Sequence, residues 1–167
     1  MDIAEAVRNA SIFHALDADE LNDVLKIIQE KRFREGDVIM HEGDEGDTLY
    51  ILAEGEVGVS KSLTMKFGDD DYRETEKVLT RFRDTDHIIF GEMALIGRDS
   101  RSATVMARTD CILAEIRRDD FISLIEGHPK IGVKILINVA ELLVGRLKQA
   151  SQDVIRLTTA LSIALSK

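Results

Sequence analysis

Cysteine and proline occur once each and glycine only eleven times among 167 residues, and each scarcity excludes something. The single cysteine, Cys111, cannot close an intramolecular disulfide, which removes the stapled secreted scaffolds. So few Pro and Gly leave no low-complexity linker, and the length suits one domain with an added element rather than two domains. No stretch comes near the roughly 18 consecutive apolar residues that span a bilayer, so no membrane partner is expected. The opening Met1-Asp2-Ile3-Ala4-Glu5 lacks the basic start and apolar run of a secretory signal. A reducing, cytoplasmic location is the expectation. Excess positive charge is missing too: 22 Lys and Arg face 31 Asp and Glu, a net charge of −9. Nucleic acids and anionic membranes reward clustered cations, so non-specific binding to either is not expected.

What is present describes a globular chain, 44% hydrophobic and 32% charged. The acid is unevenly spread. Between Glu35 and Glu76 there are thirteen Asp and Glu against three Lys and Arg, whereas Lys130 to Lys167 carries six basic residues and two acidic. An anionic ligand would have to be held by a local, placed cation rather than by the overall field.

Three zones follow one another. Residues 1–31 read as an N-terminal helical segment: Asp17-Ala18-Asp19-Glu20 has capping-box spacing, and Leu21, Val24, Leu25 and Ile28 mark one apolar face. Residues 32–117 alternate short apolar runs, such as Leu49-Tyr50-Ile51-Leu52 and Cys111-Ile112-Leu113-Ala114, with Gly- and Asp-rich corners. That spacing predicts an antiparallel jelly-roll barrel, with a long polar hairpin over Ser60–Lys77 that carries Gly68-Asp69-Asp70-Asp71. Residues 118–167 return to helix. Asp119-Asp120 put negative charge at a helix start, Gly127 ends that helix, and Pro129 suits the first turn of the next. Leu136, Ala140, Leu143, Leu147, Ala150, Val154, Leu157, Leu161 and Ala164 then alternate by four and three, the seam of a coiled coil. A continuous helix over 131–164 would be about 50 Å long and would outrun the barrel. The fold class is α+β.

The segment richest in chemistry is Phe90-Gly91-Glu92-Met93-Ala94-Leu95-Ile96-Gly97-Arg98-Asp99-Ser100-Arg101-Ser102-Ala103-Thr104-Val105. Gly91 allows close backbone approach, and Glu92 to Ile96 can make about one helical turn whose free N–H groups suit an anion. Gly97 to Ser100 would turn the chain back. Arg101 then stands at the mouth of a strand over Ser102–Val105, where its planar fork can grip two phosphate oxygens. The Glu92 carboxylate can accept hydrogen bonds from sugar hydroxyls. Together these groups match a ligand that carries both ribose and phosphate.

This segment, residues 90–105, closely resembles the phosphate-binding cassette of the cyclic-nucleotide-binding domain family. That family includes regulatory subunits of cyclic-AMP-dependent kinase, cyclic-nucleotide-gated channels and bacterial catabolite activator proteins. The frame of Gly36-Asp37-Val38-Ile39, Glu42-Gly43-Asp44, Gly46, Tyr50-Ile51 and Gly55-Glu56-Val57 is similar to the family's first barrel strands, and the likeness runs over about residues 8–148. The resemblance implies that Arg101 binds the exocyclic phosphate oxygens and that Glu92 accepts the ribose 2′-hydroxyl, helped by the Gly91 amide. It implies that the amides of Ala94 and Ser102 reach the phosphate, with Met93 and Ala103 completing the set. Ser102 does not decide between cyclic AMP and cyclic GMP, since a hydroxyl there can serve either. The family usually has Gly-Asp shortly before Phe-Gly-Glu, where this chain has His87-Ile88; the turn must be made differently, with Asp84-Thr85-Asp86 as the candidate.

Plainer readings account for other residues. His14, His41, His87 and His128 lie far apart, so no metal site is expected. Cys111 reads as a small core residue, and Asp69–Asp71 as a solvated hairpin tip rather than a calcium loop. The resemblance thus implies a non-enzymatic sensor of cyclic AMP or cyclic GMP, with no catalytic residue, that signals allosterically through its C-terminal helices. A homodimer through 131–164 and an unidentified protein effector are the expected partners. No winged helix or helix-turn-helix follows, so DNA binding by this chain alone is not expected. The rival is a scaffold with a relic pocket that acts through its coiled-coil helix.

Overall fold

The computed structural model describes residues 2–66, 72–97 and 100–166. Helix α1 (Ile3–Asn9), a 3₁₀ turn (Ser11–Phe13) and α2 (Ala18–Leu25) precede eight strands: β1 (Ile28–Phe33), β2 (Val38–Met40), β3 (Thr48–Glu54), β4 (Glu56–Lys66), β5 (Tyr72–Arg83), β6 (Ile89–Phe90), β7 (Thr104–Ala107) and β8 (Cys111–Arg117). A short helix α3 (Met93–Ile96) interrupts the strands before β7, and α4 (Arg118–Gly127) and α5 (Pro129–Leu165) close the order. The strands form two antiparallel sheets, β1-β8-β3-β6 and β2-β7-β4-β5, packed as the expected jelly-roll barrel of an α+β fold.

Strand alternation explains the two cores. Along β3, Leu49, Ile51 and Ala53 face one way, toward α1, α4 and α5, whereas Tyr50 and Leu52 face the barrel interior. A strand covered on both faces reads as an unbroken apolar run, which is why Leu49 to Ala53 shows no polar alternation. The same holds for β8, whose Ala114 and Ile116 join the helical side while Cys111 and Leu113 fill the interior.

The helical reading of residues 26–31 does not hold. Helix α2 stops at Leu25, and Ile28 opens β1, paired with Ile116 of β8. The i+7 spacing of Ile28 matched a helix face, but ladder bonds to the buried β8 outweigh local propensity there. Strand β7 likewise begins at Thr104 rather than Ser102. The long hairpin is present, with β4 and β5 paired from Glu56↔Arg83 to Lys66↔Tyr72; its expected tip, Gly68–Asp71, lies outside the described residues.

At the C-terminal end, Gly127 closes α4 and Pro129 starts α5, as the sequence predicts. The first half of α5 docks through Ile131, Ile135 and Val139, and buried Asn138 donates to the Ile12 carbonyl at 3.0 Å. Lys134 reaches Glu20 of α2 at 2.5 Å. From Val144 to Ser166 every residue is exposed, so the distal half of α5 leaves the body of the domain.

Candidate functional site

Arg101 is gripped at both backbone and side chain. Its amide donates to the Asp44 carbonyl at 2.8 Å, and its own carbonyl accepts from Gly43 N at 2.9 Å, which zips the cassette to the loop after β2. The guanidinium donates through Nη1 to the Thr48 carbonyl (2.8 Å) and through Nη2 to Thr48 Oγ1 (2.6 Å). Two glycines make room for it. A Cβ at Gly46 would stand 2.5 Å from Arg101 Cζ, and one at Gly91, where φ is +78°, would stand 2.6 Å from Arg101 Nη1. Arg101 is only 9% exposed. A guanidinium carries five N–H donors, and two are used on Thr48, so donors remain for an anion.

Glu92 sits at the N-terminal edge of α3 and is 4% exposed. Its Oε1 accepts from Nη1 of Arg146 on α5, and Arg146 Nη2 donates to the Ile89 carbonyl at 2.7 Å. Glu92 and Arg101 line one cavity of about 200 Å³, with Gly91, Met93, Ser102 and Ala103 also in its wall. Ala94 lies within α3, and its side chain falls outside the described residues, as do Arg98 and Asp99 of the expected turn. The remaining wall is largely apolar, built by Met40, Val59, Phe82, Ile88 and Phe90. Beside it Tyr50 packs against Phe90 with ring centroids 5.6 Å apart and planes tilted by 31°, and meets Phe33 edge-on at 6.5 Å; burial pushes its hydroxyl above the usual tyrosine range. A cation, a carboxylate and an apolar wall around one hollow can hold an amphiphilic anion with a hydroxylated middle and a flat apolar end.

The turn before the cassette follows the alternative the sequence offered. Asp84–Asp86 form a 3₁₀ turn, and His87 completes it in the left-handed region at φ +48°. Ile88 then enters the cavity wall. Leu95 is fully buried in the core shared with α4 and α5, which joins the cassette to the helices. Cys111 is a core thiol: it is buried, and burial raises its pKa.

Sequence reasoning missed Thr48, Gly46 as a seat for arginine, and Arg146. Thr48 lies 53 positions from Arg101, and Arg146 lies 54 from Glu92. A lone arginine on an amphipathic helix carries the same sequence signal as any solvated charge.

Comparison with known proteins shows the family and the fold. The family model described as Cyclic nucleotide-binding domain matches residues 30–128. The chain is 29% identical to the Cyclic AMP receptor protein of Thermus thermophilus over 147 residues, 88% of this chain and 62% of that protein. It is 31% identical to the cAMP-dependent protein kinase type II regulatory subunit of Drosophila melanogaster, over 71% of this chain and 28% of that subunit. The crystal structure of the Thermus thermophilus Catabolite Activator Protein superposes with a TM-score of 0.74 at 29% identity, covering 89% of this chain and 63% of that one. The chain thus spans less than two thirds of the length of these relatives.

Proposed function

Because the chain belongs to the cyclic nucleotide-binding domain family, we propose that it is a regulatory sensor that binds cyclic AMP or cyclic GMP and relays occupancy to α5. One observation carries the reading: Arg101 and Glu92, both nearly buried, open onto the same cavity. Arg101 takes the exocyclic phosphate oxygens, because its fork and fixed seat suit a bidentate anion. Glu92 takes the ribose hydroxyl, and the base lies against the apolar wall of Val59, Phe82 and Ile88. The amides of α3 and Ser102 add donors around the phosphate.

Size bears on the relay. The cavity of about 200 Å³ is small beside the roughly 300–1,000 Å³ of ordinary small-molecule sites, so a bound nucleotide lies tightly against its walls. Two of those walls are joined to helices, through Leu95 in the shared core and Arg146 on α5. Ligand affinity that differs between two helix arrangements is the condition for a signal. The output goes to a second copy through α5 or to an effector protein, in a cytoplasmic setting. Among the described residues no helix is long and apolar enough to cross a membrane.

Calorimetry with cyclic AMP and cyclic GMP on the wild type and Arg101→Ala tests the reading. The substitution should remove about 2–5 kcal/mol of binding free energy, as for a broken buried charge pair. In thermal melts, ligand at about 100 times its Kd should stabilise the wild type by roughly 2.7 kcal/mol. Identical titrations for the two proteins would leave a scaffold that acts through α5 alone.

A further inference from the structure

We infer that Tyr50 is a positioning residue for phosphate recognition, one link in a buried hydrogen-bonded chain that runs from Arg101 to Glu115 and fixes the seat of the arginine. This inference rests on the reading of the site given above, in which Arg101 takes the phosphate. Four buried polar side chains carry it: Arg101, Thr48, Tyr50 and Glu115. Thr48 and Tyr50 stand two apart on β3 and so point to the same face of the sheet. Glu115 is the cross-strand partner of Tyr50 in the β3–β8 ladder, which puts its side chain on that face too. Thr48 Oγ1 accepts from Arg101 Nη2 at 2.6 Å, and the Tyr50 hydroxyl bonds to both Thr48 and Glu115. Lys31 of β1 closes the far end, 3.4 Å from Glu115 Oε1.

The chemistry of the two ends sets the direction of every link. A guanidinium can only donate, so the Thr48 oxygen accepts and its own proton must point elsewhere. A carboxylate can only accept, so the Tyr50 proton goes to Glu115 and the Tyr50 oxygen takes the Thr48 proton. The Tyr50 hydroxyl carries that polarity: burial raises its pKa most, the Thr48 bond lowers it, and the Glu115 bond raises it. Each donor thus passes to the next, and such chains polarise and strengthen their own links. With its proton committed to Tyr50, the Thr48 hydroxyl turns a lone pair on Arg101, while the Thr48 carbonyl holds Nη1 at 2.8 Å beside it. The guanidinium plane is fixed at two points, and its remaining N–H groups meet a phosphate at one angle. Tyr50 lies behind the cavity wall rather than in it. Phe in its place keeps the ring contacts with Phe33 and Phe90 and removes only the hydroxyl.

The test is calorimetry on the full chain, for the wild type, Tyr50→Phe and Glu115→Gln. The ligands are cyclic AMP, its two exocyclic phosphorothioate diastereomers and 2′-deoxy cyclic AMP. A fixed fork tells the two exocyclic oxygens apart, so the wild type should separate the diastereomers by roughly tenfold or more, the worth of a hydrogen bond to a charged group. Tyr50→Phe should bring that ratio to about threefold or less and leave the preference for the 2′-hydroxyl as in the wild type. Glu115→Gln, whose amide oxygen still accepts from Tyr50, should keep part of the selectivity. Should Tyr50→Phe not fold, Glu115→Leu repeats the comparison by removing the acceptor. Equal weakening of all four ligands by Tyr50→Phe would make the hydroxyl merely structural and overturn the inference, and so would undiminished selectivity in that variant. A wild type that binds cyclic AMP but not one diastereomer over the other removes the inference while the site reading stands. If none of the ligands binds the wild type, the site reading itself fails and takes the inference with it.

Discussion

His87 is the one non-glycine residue with positive φ among those described, and it stands where the family usually carries glycine. The left-handed region brings Cβ against the backbone and costs roughly 1–2 kcal/mol for an ordinary residue, whereas glycine enters it freely. The His87 side chain is exposed, so little packing is lost when it is removed. His87→Gly should therefore stabilise the fold by about 1 kcal/mol after the greater unfolded-state entropy of glycine is counted. Urea unfolding measures it, and a lower midpoint for the variant would show that the imidazole makes a contact worth more than the strain. At this scale the cassette was largely legible: Arg101 and Glu92 were identifiable from spacing and resemblance, and both now line one hollow. Their supports were not legible, because Thr48, Gly46 and Arg146 carry no local pattern that points toward the residues they hold.

Helix α2 shows an element whose start is written in four residues. Asp17 Oδ1 accepts from the amides of Asp19 (3.0 Å) and Glu20 (2.9 Å), and Glu20 returns a carboxylate oxygen to Asp17 N at 3.0 Å. The cap also reaches across the fold, because Glu20 binds Lys134 of α5, and that hydrogen bond lowers its pKa. Asp17→Ala should cost about 1 kcal/mol, the usual worth of an N-cap, measured by chemical denaturation. No change in midpoint would mean that Glu20 and Lys134 alone fix this helix. The end of α2 was not legible in the same way. Ile28 fits both a helix face and a strand, and only pairing with β8 decides between them.

On the scale of the whole molecule, α5 is the dominant feature: 37 residues, about 55 Å at roughly 1.5 Å per residue. Leu143 of the seam packs against the core, but the rest of the seam is separate from the docked face. Ile131, Ile135 and Val139 are buried on the barrel, whereas Leu136, Leu147, Val154, Leu157 and Leu161 are between 39% and 70% exposed. A regular apolar seam that faces away from its own domain is suited to a second copy, with knobs-into-holes packing as the driving contact. Truncation near Ser151 removes the distal seam and keeps Arg146. Light scattering should then give the monomer mass where the full chain gives the dimer, and equal masses for the two would end the proposal.

The sequence by itself determined what depends on neighbours a few residues apart: the short apolar runs between Gly- and Asp-rich corners, the helix caps, the four-three seam, and an arginine and a glutamate nine positions apart in one cassette. These are properties of hydrogen-bonding patterns and side-chain periods, and such patterns are local. Tertiary structure alone decided that Thr48 and two glycines seat Arg101, that Arg146 pairs with Glu92, and that Ile28 belongs to a strand. Those contacts join segments many residues apart, so they exist only once the sheets have packed and α5 has docked against them.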